Sequence, residues 1–312
     1  MTLLGLDTST PATVVGLLLD DGTLLEASDQ RGAQERPGHQ EGLLARAGTL
    51  LERAGLTFGD VDRVAVGIGP GGYTGLRVGI ASARGLAQAL EAEVVGVSSL
   101  QALAHGVALG GSRARADHVL TVVDARRGEV FTAAYRLGSP SGAGRDGEGG
   151  GPGARTPMGE ATPAPEVLSG ACAIPPEAVA GLVRSLSGHA DTAPGHGDGD
   201  QTAGARWLAV GNAAGTVASA LTDAGIEVPP PDSPCHRLGA HALCLLGTRA
   251  VAQGLEQVLP EYCRRPDAEI ALEDGRLGRR ADSLSAGTPG EGTAAAHTRQ
   301  GRRAAGVTGV AS

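Results

Sequence analysis

The sequence predicts a duplicated α/β fold arranged as two lobes, and three observations lead to it. Near the start, the short apolar runs Leu3–Leu6 and Thr13–Leu19 flank Asp7-Thr8-Ser9-Thr10, which reads as strand, polar turn, strand. From Val119 the pattern restarts: Val119–Val123, then Asp124, then a turn through Gly128, then Glu129–Tyr135. Asp124 thus takes the place of Asp7 in a second copy of the same unit. The length of 312 residues exceeds one ordinary domain and leaves room for both copies.

The elements follow in order. Asp20-Asp21-Gly22 marks a turn before a third short strand at Thr23–Glu26. His39–Ala54 places Leu43, Leu44, Ala47, Leu50, Leu51 and Ala54 along one helical face, with Gly55 as the stop. Val61–Ile68 is a strand feeding a glycine-rich loop, and Thr74 is placed to cap the helix that runs to about Leu90. Val94–Val97 is another strand, with Ser98 or Ser99 capping a helix to about Leu109.

In the second half, a helix starts at Pro175-Pro176-Glu177 and Trp207–Val210 is a strand. Helices follow at about Ala213–Ala224 and at Ala240–Ala252. Chain order assigns residues 1–110 to the first lobe and 111–272 to the second. Flexible insertions are expected near 138–157, where Gly, Ser and Pro crowd the chain, and near 188–204, which has almost no apolar content. Residues 273–312 offer little to bury and are expected to form a disordered tail.

Composition removes several function classes. The chain carries 26 basic and 34 acidic residues, a net charge of −8, and 2% aromatics. That balance disfavours a stand-alone RNA-binding module, which needs basic charge and stacking surfaces. Every basic side chain apart from histidine is arginine. Without lysine there is no P-loop lysine, no protein-kinase lysine and no Schiff base. The start of the chain, MTLLGLDTST, lacks the basic flank of a secretory signal, and no apolar run is long enough to cross a bilayer. With four widely spaced cysteines, the expected location is the reducing cytoplasm.

Two motifs could carry a ligand. Asp7, Thr8 and Ser9 suit a turn that holds a hydrated cation and a phosphate, or merely satisfies its own amides. The stretch Gly69-Pro70-Gly71-Gly72-Tyr73-Thr74-Gly75 offers backbone donors and the Thr74 hydroxyl at a helix start. It serves equally well as a strand-to-helix turn. Cys235-His236 with His241 and Cys244 matches no usual zinc spacing, so no metal site is expected. Gly75, Gly79, Ala83 and Ala87 recur every four residues and form a ridge of small side chains, expected to admit a partner helix. Leu43 and Leu50 of the preceding helix are expected to join that interface.

These residues resemble the TsaB family, also called YeaZ. The resemblance rests on LLGLDTST, on GIGPGGYTGLRVGIASARGLA, on VVGVSSLQALA and on VVDARRGEVFTAAY, with weaker echoes in PPEAVAGLVRSL, WLAVGNAA and PEYCRR. It is dense over residues 1–137 and thin beyond. Gly72 and Tyr73 stand where family members often have Ser and Phe, a change that preserves shape.

The resemblance implies an actin/Hsp70/sugar-kinase-like fold. It also implies a non-catalytic scaffold subunit of the machinery that installs threonylcarbamoyl on the tRNA adenosine beside the anticodon. The catalytic paralogue TsaD would be its heterodimer partner and the ATPase TsaE would join them. A homodimer could form when the chain is alone, and tRNA would be met only through the complex. No cofactor is then required, and Asp7, Thr8, Ser9, Gly69, Gly71, Gly72 and Thr74 would keep at most a degenerate ATP or ADP site. His39 has no second histidine four positions on, so the paralogue's metal pair is missing. The competing expectation is a nucleotide-dependent transferase or kinase of the same superfold.

Overall fold

The computed structural model describes residues 1–29, 39–110, 116–138, 162–190 and 205–264. The expected insertions near 138–157 and 188–204 lie almost wholly outside the described residues, and the expected tail at 273–312 lies entirely outside them.

Two sheets form one compact unit, Met1–Arg264. The first contains β1 (Leu3–Asp7), β2 (Thr13–Leu18), β3 (Leu24–Asp29), β4 (Arg63–Gly69) and β5 (Glu93–Ser98), in the order β3-β2-β1-β4-β5. β1, β2 and β3 form an antiparallel meander, while β4 and β5 run parallel to β1. The second contains β6 (His118–Arg126), β7 (Glu129–Arg136), β8 (Glu166–Ile174) and β9 (Trp207–Val210), in the order β8-β7-β6-β9. Here too the first three strands form an antiparallel meander, and β9 runs parallel to β6. The order of the first sheet is therefore repeated in the second without its last strand. This is the duplicated α/β architecture that the sequence predicts.

Helices cover both sheets. α1 (His39–Arg53) and α2 (Tyr73–Leu90) lie side by side on one face of the first sheet. Leu43, Ala47, Leu50 and Leu51 meet Leu4, Leu6, Val15 and Val64 in that core. The other face is covered by α6 (Ala240–Arg249), whose Leu243, Cys244 and Leu246 pack on Leu3, Ala65 and Val95. On the second sheet, α3 (Ser99–Leu109) packs Leu100, Leu103 and Val107 against Val119, Ala133 and Leu208. α4 (Val179–Ala190) and α5 (Ala218–Asp223) cover its far face. α3 and α6 touch, so they form the layer between the sheets.

This layer departs from the division made by chain order. α6 falls within 111–272 yet packs on the first sheet, and α3 falls within 1–110 yet covers the second. A clamp explains how α6 is held. Arg63, at the start of β4, donates from Nη1 to the carbonyls of Gly247 at 3.0 Å and Ala250 at 3.1 Å, and from Nε to Glu93 at 2.7 Å. Its guanidinium satisfies carbonyls that the end of α6 leaves unpaired.

β8 is absent from the sequence reading. It is a half-exposed strand of small residues, EVLSGACAI, whose register on β7 shifts near Thr132–Tyr135. Alternation is the usual signal for a strand, and it is lost there. The expected helix at Ala213–Ala224 divides into a 3-10 turn at Ala214–Val217 and the short α5.

Candidate functional site: the glycine loop and the face of α2

The end of β1 and the loop after β4 meet at the start of α2. Asp7, Thr8 and Ser9 are all buried there. Asp7 Oδ1 accepts from the backbone N–H of Ser9 at 2.8 Å and from its hydroxyl at 2.7 Å. Oδ2 accepts from the Ser99 hydroxyl at 2.6 Å. A Cβ at Gly67 would fall on this carboxylate, so only glycine lets β4 pass it.

The loop folds down on the same turn. Gly72 N–H donates to the Ser9 carbonyl at 2.7 Å, and Thr8 Oγ1 donates to the Gly75 carbonyl at 2.7 Å. Gly69 N–H donates to Ser99 Oγ at 3.2 Å. The structure thus brings together Asp7, Thr8, Ser9, Gly69, Gly71 and Gly72, as the sequence reading groups them. The hydrogen bonds of Asp7, Thr8, Ser9, Gly69 and Gly72 run within the turn and loop and to Ser99 and Gly75. Thr74 stands apart and exposed on the first turn of α2. It does not cap the helix: Gly72 is the N-cap, with no side-chain bond.

The small-residue ridge also faces inward. Gly75, Gly79, Ala83 and Ala87 are all buried, and a Cβ at Gly79 would collide with the Thr8 hydroxyl. Leu43 and Leu50 are 1% and 0% exposed. These six residues are core, which corrects the expectation that they form an interface. The ridge admits a close neighbour, but that neighbour is the chain's own β1 and β4.

The surface of the helix pair lies about half a turn away, on the side opposite the ridge. Tyr73, Arg77 and Ala81 are exposed on α2, and with Thr74, Val78 and Ser82 they line a shallow open depression. On α1, Leu44 is exposed. The segment after α6 reaches this face. Gln253 N–H donates to the Val94 carbonyl at 2.9 Å, Val258 is buried beside Val94, and Glu261 N–H donates to the Ile68 carbonyl at 2.8 Å. Tyr262 then stacks on Tyr73, with ring centroids 5.8 Å apart. Arg77 lies 4.0 Å over the Tyr73 ring and donates from Nε to the Tyr262 hydroxyl at 3.1 Å. Sequence reading missed this cluster because Tyr262 lies 185 positions from Arg77, with nothing in the local pattern to join them.

The second copy of the motif is laid out differently. Asp124 is exposed and accepts from the Arg126 N–H at 2.7 Å, and its own N–H donates to Asn212 Oδ1 at 3.0 Å. His236 Nδ1 accepts from Gly211 N–H at 3.2 Å, so this histidine serves the turn after β9. Cys244 lies within α6, where burial pushes its thiol up to about 12. Among the described residues no group of three or more His, Cys, Asp or Glu side chains converges as a metal site would.

Comparison with known proteins fits this geometry. Residues 34–143, which include α1 and α2, match the family model described as TsaD, tRNA N6-adenosine threonylcarbamoyltransferase. The tRNA threonylcarbamoyladenosine biosynthesis protein TsaB of Escherichia coli is 37% identical over 136 residues, 44% of this chain and 55% of that protein. An uncharacterized protein of Mycobacterium tuberculosis is 40% identical over 134 residues, 43% of this chain and 59% of that protein. The structure of YeaZ from Pseudomonas aeruginosa superposes with a TM-score of 0.56 at 25% identity, over 84% of this chain and 99% of that one. These matches support assignment of the chain to the TsaB/YeaZ family. Its matched sequence spans 55–59% of the length of the two curated relatives.

Proposed function

We propose that the chain is a non-catalytic subunit in the synthesis of threonylcarbamoyladenosine in tRNA. In this reading it pairs with the catalytic TsaD-type paralogue in the cytoplasm, and a TsaE-type ATPase joins the pair. The observation that carries the reading is the position of Asp7. A kinase-like site needs this carboxylate to face a metal–phosphate complex. Here it is 0% exposed and holds the hydroxyls of Ser9 and Ser99. The absence of lysine from the sequence supports the same reading, as does the lack of a second histidine four positions after His39. The chain then works without a nucleotide of its own, and tRNA is met through the assembly.

Pairing uses the exposed faces of α1 and α2, around Leu44, Tyr73, Arg77 and Ala81. The matched TsaD model covers this same helix pair, so a paralogue of the same fold presents an equivalent pair and a pseudo-symmetric four-helix contact can form. Among the described residues no helix is long and apolar enough to cross a membrane.

The test is reconstitution with the TsaD-type and TsaE-type proteins of the same genome, a threonylcarbamoyl donor, ATP and tRNA. Modified adenosine should form with all three proteins and fail when this chain is omitted. The chain alone should neither modify tRNA nor hydrolyse ATP. Turnover by the chain alone, abolished by Asp7→Ala in a still-folded protein, would establish the transferase or kinase reading instead.

A further inference from the structure

The Tyr73–Arg77–Tyr262 cluster sits on the face assigned to pairing, and its chemistry points outward. Arg77 Nε donates to the Tyr262 oxygen, so that oxygen is occupied as an acceptor while its own O–H stays free to donate. The Arg77 Nη atoms make no hydrogen bond among the described residues. Tyr73 below holds the guanidinium plane at 4.0 Å. The result is a fixed array of charged and neutral donors, bordered by the rings and by Val78 and Ala81. Planar donor arrays of this kind match a carboxylate and bind it more strongly than a single donor does.

We propose that Arg77 and Tyr262 together form a carboxylate-binding hot spot for an Asp or Glu side chain on a helix of the catalytic paralogue. This rests on the pairing reading above and adds the C-terminal segment to the interface. Charge supports the choice of occupant. α2 carries Arg77 and Arg84 and no carboxylate, although the whole chain stands at −8. That basic face therefore suits an acidic partner helix. Tyr and Arg are also the residue types on which interface affinity concentrates. A tRNA phosphate could use the same donors, but it would have to approach a strongly acidic chain beside an apolar border. Tyr262 is a positioning residue as well as a contact. It is carried by the segment pinned at Gln253, Val258 and Glu261, so the array is formed before the partner arrives.

The experiment is titration calorimetry of the full chain with the TsaD-type protein at two salt concentrations. The variants are Arg77→Gln, Tyr262→Phe, the two combined, and Ala81→Arg as a control for the face as a whole. Arg77→Gln should weaken binding roughly 10- to 100-fold and reduce its salt dependence, as loss of a charged hydrogen bond does. Tyr262→Phe keeps the stacking and should weaken binding about 5-fold by removing one donor. The double variant should lose clearly less than the product of the single losses, because both donors hold one group. Melting temperatures should stay within about 2 °C of wild type, since both side chains are surface groups.

Wild-type affinity in Arg77→Gln and Tyr262→Phe, with Ala81→Arg unable to bind, would overturn this inference and leave the pairing reading intact. Losses that simply multiply would overturn the shared carboxylate. Loss of tRNA binding with the heterodimer unchanged would assign the array to nucleic acid. Wild-type binding by Ala81→Arg, or none by the wild-type chain, would overturn the pairing reading itself.

Discussion

Ser99 Oγ lies 2.6 Å from Asp7 Oδ2, a buried hydrogen bond that ties the end of the first strand to the first turn of α3. α3 covers the second sheet, so this one contact links the Asp7-Thr8-Ser9 turn to the packing of both lobes. The carboxylate is a structural element of the fold.

Asp7→Ala should therefore act on stability. It leaves the buried hydroxyls of Ser9 and Ser99 without their acceptor, which costs about 3 kcal/mol for bonds to a charged group. In a folded unit of this size that lowers the melting temperature by roughly 6–12 °C. Ser99→Ala should show a smaller loss of the same sign. Calorimetry of both variants checks this, and an unchanged melting temperature in Asp7→Ala would contradict it.

Two alanines on α2 separate core from surface. Ala83 is 0% exposed in the core beneath the helix, whereas Ala81 is exposed beside Arg77. Ala83→Arg should prevent folding or leave an aggregating protein, because no space or partner exists there for a charge. Ala81→Arg should fold with a near-normal circular dichroism spectrum and melting temperature. The pair is read by solubility and thermal melting before any binding is measured.

That contrast also shows what the sequence could and could not disclose. The spacing of Gly75, Gly79, Ala83 and Ala87 correctly marks a face that something approaches closely. It carries no information on whether the approaching element belongs to the same chain, and here it is β1 with Thr8. The first meander, α1, β4, α2 and the restart at Val119 were legible because continuous apolar runs and helical periodicity are local signals. β8 was not, since an edge strand of small half-exposed residues has neither. The crossing of α6 onto the first sheet was also hidden, being fixed by distant contacts such as Arg63 with Gly247. At the site, the grouping of the DTS turn with the glycine loop was legible, but the capture of Asp7 by Ser99 and the arrival of Tyr262 were not.

Acid should destabilise the protein through His105. Its ring is 0% exposed on α3 and neither nitrogen has a hydrogen-bond partner. Burial, with Arg249 and His241 nearby, lowers its pKa to about 4 from 6.5. The unfolded chain binds this proton first, so the stabilisation is complete above pH 6.5 and is lost as pH falls toward 4. The loss between pH 7 and pH 4.5 should be roughly 2 kcal/mol from this group. His118 and His241, also lowered by burial, add in the same direction. Urea unfolding at the two pH values should show the loss, and His105→Phe should reduce it. An equal pH dependence in His105→Phe would remove His105 as the cause.

Truncation should distinguish the two parts of the C-terminal region. Residues 273–312 contain few apolar side chains, so a chain ending at Leu272 should melt within about 2 °C of the full chain. A chain ending at Ala252 loses Gln253 on the β5 edge and buried Val258. Burial of one valine alone is worth about 2 kcal/mol, so its melting temperature should fall by at least roughly 4–8 °C. Equal melting of the two truncated chains would contradict the packing role of residues 253–264.

The central claim is pairing through the exposed faces of α1 and α2, and light scattering coupled to size-exclusion chromatography tests it most directly. Mixing the chain with the TsaD-type protein of the same genome should give a single species with the mass of one copy of each. Ala81→Arg, folded as judged by circular dichroism, should elute separately from that protein. No mixed species with the wild-type chain, or a mixed species formed equally well by Ala81→Arg, would contradict the account.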